Sequence, residues 1–115
     1  MDTADLLSAF VRENGFECGI VASASGQVLA RSGDFGTLKW DGLPNSLFGD
    51  PDAIRGLYAS LEGEILPQIY GQGDVSCVVN KVGDDLVVGL FDQNGRDDLE
   101  LFDIGERAPE ALSAA

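Results

Sequence analysis

The chain has 115 residues, with 20 Asp or Glu against 7 Lys or Arg and no histidine, for a formal charge of −13. The missing histidine excludes Ser-His-Asp and Cys-His catalysis, imidazole zinc ligands and a histidine pH switch. The acidity opposes binding to nucleic acid and to anionic membranes, while 44% hydrophobic residues at this length suit one domain with a real core.

Asp2 to Asn14 is predicted as a helix. Leu6, Leu7, Phe10 and Val11 share one face, Asp2 or Thr3 caps the start, and Gly15 stands where a left-handed residue closes a helix. Phe16 to Ala22 is a strand, Ser23 to Gly26 a turn, and Gln27 to Ser32 the return strand of a hairpin. Gly33 to Gly49 is irregular, with four Gly, Pro44 and Asn45 among Phe35, Leu38, Trp40, Leu43, Leu47 and Phe48. A stretch this long is functional or packed on itself, and its apolar residues predict packing.

The next helix has the clearest signal. Asp50 is its N-cap, Pro51 fits the first turn, and Ile54, Leu57, Tyr58, Leu61 and Ile65 form one apolar stripe. Gly63 weakens its last turn, Pro67 limits its extension, and Gln68-Ile69-Tyr70 fits either the helix end or a short edge strand. Asp74 to Val82 and Leu86 to Phe91 make a hairpin across Gly83-Asp84-Asp85, and near-continuous apolarity in its second strand predicts a central position covered on both faces. A polar loop from Asp92 to Asp98 follows. Leu99, Leu101, Phe102 and Ile104 suit strand or helix, and Glu106 to Ala115 a short or frayed helix. The order α-β-β-α-(β)-β-β-α defines an α+β domain with a mostly antiparallel sheet.

No recognised catalytic or ligand motif accompanies this pattern. Cys18 and Cys77 are far apart, form no CxxC unit and lie in apolar runs, which predicts buried thiols. Asp92, Asn94 and Asp97-Asp98 suggest calcium, but Gly95 comes too early for an EF-hand and Arg96 occupies the fifth position, so a solvated loop is expected. Gly71-Gln72-Gly73 is no phosphate loop, and Ser23 and Ser25 lack a base. An acidic N-terminus without a basic signal region, and no long apolar run, lead to the expectation of a cytoplasmic setting.

Four segments carry a family resemblance: the leading helix with Leu6, Leu7 and Phe10; the run Gly19-Ile20-Val21-Ala22 through Gly26 to Ala30; the helix Pro51–Ile65; and the strands Val75–Val82 and Leu86–Asp92. Together they resemble the Roadblock/dynein light chain family over nearly the whole chain. The long Gly33–Gly49 stretch and Pro67 depart from its pattern. The resemblance implies a single Roadblock-like domain over residues 1–115, with profilin-like layering and the order α-β-β-α-β-β-β-α. It also implies a non-catalytic homodimer without cofactors or metals, in which the sheets of two copies join and their second helices lie side by side. Such proteins scaffold or regulate small Ras-like GTPases. Carried onto this chain, the pairing helix is Asp50–Ile65, so Ile54, Leu57, Tyr58, Leu61 and Ile65 become candidate interface residues; the alternative is that Ile54, Leu57, Leu61 and Ile65 cover the chain's own sheet, as one-sided stripes normally do. Trp40 joins them as a possible anchor, because a Trp in a Gly-rich loop serves an interface or folds onto its own domain.

Two other functions fit the residues. A ligand-sensing domain of the GAF or PAS type would use the Gly33–Gly49 stretch as a lid over a pocket. An inhibitor that mimics nucleic acid would use its charge against a basic surface, and nine acids from Asp84 to Glu110 against Arg96 and Arg107 suit that role.

Overall fold

The computed structural model describes residues 2–39 and 42–113. Helix α1 (Thr3–Glu13) leads into strands β1 (Cys18–Ser23) and β2 (Val28–Gly33), and a single 3₁₀ turn at Phe35–Thr37 precedes α2 (Gly42–Phe48) and α3 (Pro51–Ser60). Strands β3 (Gln68–Gln72), β4 (Val75–Val82) and β5 (Leu86–Asp92) follow, and α4 (Asp98–Leu112) closes the order. The sheet runs β2-β1-β5-β4-β3. Every neighbouring pair is antiparallel, and β1 pairs with β5 from Cys18↔Phe91 to Ser23↔Leu86, so the two hairpins are zipped through their inner strands.

Side chains alternate between the faces with the period of two that a strand imposes. Val88 and Leu90 of β5 join Val21 and Val78 under α1 and α4, which contribute Leu7, Phe10, Val11, Leu101, Ile104 and Ala108. Val87 and Phe91 join Ile20, Cys77 and Val79 under α2 and α3, which contribute Leu43, Leu47, Phe48, Ile54 and Leu57, with Leu61 from the turn just after α3. The middle strand is therefore covered on both faces, as its unbroken apolar run requires.

The helix starts follow local chemistry. Oδ1 of Asp2, Asp50 and Asp97 accepts the backbone N–H of Asp5, Ala53 and Glu100 at 2.9, 2.7 and 2.8 Å, each satisfying an otherwise orphaned donor in the first turn. Gly15 ends α1 at φ 71°.

Three stretches differ from expectation or settle an alternative. Part of Gly33–Gly49 is helix α2, because Leu43, Leu47 and Phe48 bury against the sheet and tertiary packing overrides a poor helical composition. Gln68–Gln72 is an edge strand. Residues from Asp98 to Leu112 form one helix despite Pro109. Proline cannot donate to the carbonyl four residues earlier. Here that carbonyl, on Gly105, instead accepts from Nδ2 of the buried Asn80 on β4 at 2.9 Å. Gly105 also permits the close approach: a Cβ there would stand 2.4 Å from Val78 Cγ1 and 2.8 Å from Pro67 Cγ.

Candidate functional site

The predicted stripe belongs to the chain's own core. Ile54, Leu57 and Leu61 are 1, 6 and 1% exposed and pack with Val79, Val87 and Phe91. Within one chain this is the core-facing reading of the stripe: a narrow helix over a sheet turns its single apolar face inward. Tyr58 is half-buried; its hydroxyl donates to the Asp84 carbonyl at 2.5 Å, and Lys81 Nζ stands 4.9 Å from its ring centroid. Ile65 is 79% exposed but lies beyond α3, which ends at Ser60. The break falls where Leu61, Glu62 and Gly63 enter a turn, with Gly63 at φ 75°. Trp40 lies outside the described residues.

The outward face of α3 is small and polar, carrying Asp52, Arg55, Gly56, Ala59 and Ser60. Arg55 is occupied by Asp52 and by the Ser25 carbonyl in the first hairpin turn. A Cβ at Gly56 would meet nothing within 4 Å, so a second backbone has open access to this face. The signal was available in the sequence, in the phase opposite the apolar stripe.

The two sheet edges are unlike each other. An edge strand presents unpaired backbone groups, and proteins that keep it single protect it with charge, bulges or cover. Strand β2 has such devices: its register slips at Val21/Ala22, and it carries Arg31. Strand β3, Gln68-Ile69-Tyr70-Gly71-Gln72, bears no charge, pairs regularly with β4, and among the described residues has no strand on its other side. The exposed Ile65 precedes it by three positions.

The acidic loop after β5 is a structural latch. Asp92, 2% exposed, accepts from Arg96 Nε at 3.0 Å and Nη2 at 2.8 Å. Arg96 also donates to the Asn14 and Gly15 carbonyls at 2.5 and 3.3 Å and lies 4.6 Å from the Phe16 ring centroid. The guanidinium thus joins the end of α1 to the loop, and Asp92 is not a solvated acid. Among the described residues no group of three or more His, Cys, Asp and Glu side chains could hold a metal ion.

Cys18 and Cys77 flank Phe91 from opposite neighbouring strands. Two strand spacings separate them by roughly 9–10 Å, beyond the ~7 Å limit for a disulfide. Burial, with the Glu17 and Asp34 charges, pushes the Cys18 thiol up to about 12. Burial, reinforced by Cys18, pushes Cys77 well above the ordinary range. No described helix is long and apolar enough to cross a membrane.

No protein-family model and no curated protein matches the chain. Solved structures do. Myxococcus xanthus MglB superposes with a TM-score of 0.68 at 17% identity, over 97% of this chain and 92% of that one. A structure described as MglB with a tetrameric arrangement gives 0.66 at 21% identity, over 97 and 85%. A Roadblock/LC7 domain from Streptomyces avermitilis gives 0.64 at 15% identity, over 99 and 97%. At these identities the likeness is one of fold.

Proposed function

We propose, from the Roadblock/LC7 fold that this chain has, that it is a non-catalytic homodimeric interaction module. Its role is to scaffold or regulate a partner protein, and the fold makes a small Ras-like GTPase the leading partner class. The observation that carries this reading is the uncharged, open β3 edge. A second copy adding its own β3 there would satisfy both rows of backbone groups and extend the sheet across two chains. The small outward face of α3 lets the second helices approach as the sheets join. The interface residues in this reading are the β3 backbone, Ile65, Gly56 and Ala59, in place of Ile54, Leu57 and Leu61. A cytoplasmic setting belongs to the same proposal.

Light scattering on the purified chain tests the assembly, with twice the 12.1 kDa chain mass as the expected result. Gly71→Lys with Gln72→Lys places charge on the exposed end of β3, where a Cβ at Gly71 meets only the Val75 carbonyl at 3.9 Å. The variant should keep its circular dichroism and run as a monomer. A wild-type monomer, or an unchanged dimer in the variant, overturns the β3 seam. Co-purification of a small GTPase from source lysate tests the partner class.

A further inference from the structure

We infer that the cleft between the β1–β2 surface and helix α2 is a binding site for a small apolar carboxylate. This goes beyond the assembly proposed above and does not depend on it.

The cleft holds about 470 Å³, within the range of roughly 300–1,000 Å³ usual for small-ligand pockets. Its lining combines the buried Ile20 and Phe48, the half-buried Phe35 and Pro44, and the exposed Arg31 and Lys39. The walls are anchored. Phe35 and Phe48 each pack edge-on against the buried Phe91, with ring centroids 5.7 and 6.4 Å apart. Phe48 can sit so low because the strand beneath is Gly89: a Cβ there would stand 2.5 Å from its ring. The cavity is thus part of the packed fold.

Its charge runs against that of the chain. The chain has 7 basic residues against 20 acidic ones; Arg31 and Lys39 both line this cleft, and among the described residues no carboxylate does. Arg55, Lys81 and Arg96 are in ion pairs elsewhere. Arg31 has no carboxylate partner among the described residues and lies over Phe35, 5.5 Å from the ring centroid. Lys39 reaches Asp74 only at 3.9 Å, with both side chains mostly exposed, a contact of little strength. The nearby acids face other donors: Asp34 accepts from the Gly36 N–H at 2.8 Å, and Glu17 from the Thr37 hydroxyl at 3.3 Å. Two cations beside an aromatic and aliphatic wall match a ligand with an apolar body and one anionic head. A guanidinium pairs with a planar carboxylate through two parallel hydrogen bonds. A compact monoanion suits the site better than an acidic peptide, because each further negative charge meets the repulsion of a chain at −13.

Octanoate is the probe, with octanol and octylamine as neutral and cationic analogues, titrated into the full chain and read by amide NMR spectra. Octanoate should give saturable shifts at Arg31, Phe35 and Leu38 and bind about tenfold more tightly than octanol, the ratio that one charge-assisted contact of about 1.4 kcal/mol supplies. Octylamine should be weaker still. Arg31→Gln with Lys39→Gln should remove the preference for octanoate and leave octanol binding unchanged. Arg107→Gln, distant from the cleft, should change neither. Arg31 and Lys39 are exposed, so the variant should keep the wild-type urea midpoint. The inference is overturned if octanoate gives no saturable shift, if octanol binds equally well, if the shifts lie elsewhere, or if the double variant keeps the preference. Each outcome is independent of the mass seen in light scattering.

Discussion

The contact between Asn80 and Gly105 makes a prediction with a sign as well as a size. Asn80 is 7% exposed, and its Nδ2 supplies the only side-chain hydrogen bond to the Gly105 carbonyl among the described residues, the one that Pro109 cannot serve. Asn80→Ala leaves that carbonyl buried and unpaired, which costs about 1–3 kcal/mol, a large share of the roughly 5–15 kcal/mol that holds a small domain together. Pro109→Ala restores a backbone N–H at the position from which an α-helix serves this carbonyl. In that background Asn80→Ala should therefore cost less, by about 1 kcal/mol or more, while Pro109→Ala alone should be neutral or stabilising. Urea unfolding of the four chains, with slopes checked for constancy, gives the coupling energy directly. Equal cost of Asn80→Ala in both backgrounds, within about 0.5 kcal/mol, would refute the account of how the proline is accommodated.

Other outcomes follow from the packing. Arg96→Ala should lower stability by about 3 kcal/mol, because it strands the buried Asp92 and frees the Asn14 carbonyl at the end of α1; a loss under about 1 kcal/mol in the same urea assay would count against the latch. Gly89→Ala should cost about 1–3 kcal/mol through overpacking against Phe48 and should also weaken octanoate binding, since the displaced ring lines the cleft. In the Gly71→Lys, Gln72→Lys monomer, where no second helix covers α3, Gly56→Ala should raise stability by about 0.5–1 kcal/mol, since it improves an exposed helical position with nothing within 4 Å. The thiols link stability to alkaline pH. Both are raised in the folded chain, so their contribution is complete below the unfolded value of about 8.5 and is lost as pH rises toward the folded one. Between about pH 8.5 and 10 stability should fall by up to about 1.4 kcal/mol per pH unit for each thiol, and a Cys18→Ala, Cys77→Ala chain should show a smaller slope.

Local signals were enough for much of the architecture. Asp2 and Asp50 cap helices from the positions expected of them, Gly15 takes a positive φ, and both long hairpins form around turns read from Gly and Asp. These are contests between neighbouring residues, decided within a few positions of chain. The inward stripe of α3 was legible too, but its phase alone does not reveal whether it meets the chain's own sheet or another copy. That depends on what lies beneath Ile54, Leu57 and Leu61, and the answer is Val79, Val87 and Phe91 from strands later in the chain.

The features closest to function depend on residues far apart in sequence. Helix α2 is held by the burial of Leu43, Leu47 and Phe48, the last over Gly89, and Gln68–Gln72 is a strand because β4 offers it a ladder. Asp92 and Arg96 are near neighbours, yet their pairing matters through Asn14, Gly15 and Phe16. The cleft gathers Ile20, Arg31, Phe35 and Phe48 from four elements. By itself the sequence determined the alternation of helices and hairpins, the acidic character and the absence of histidine chemistry, because composition, caps and periodicity act locally. Only the tertiary structure decided which strand is an open edge, which helix face is free and where two of the seven cations converge, because those properties belong to surfaces made by chain segments that meet only when folded.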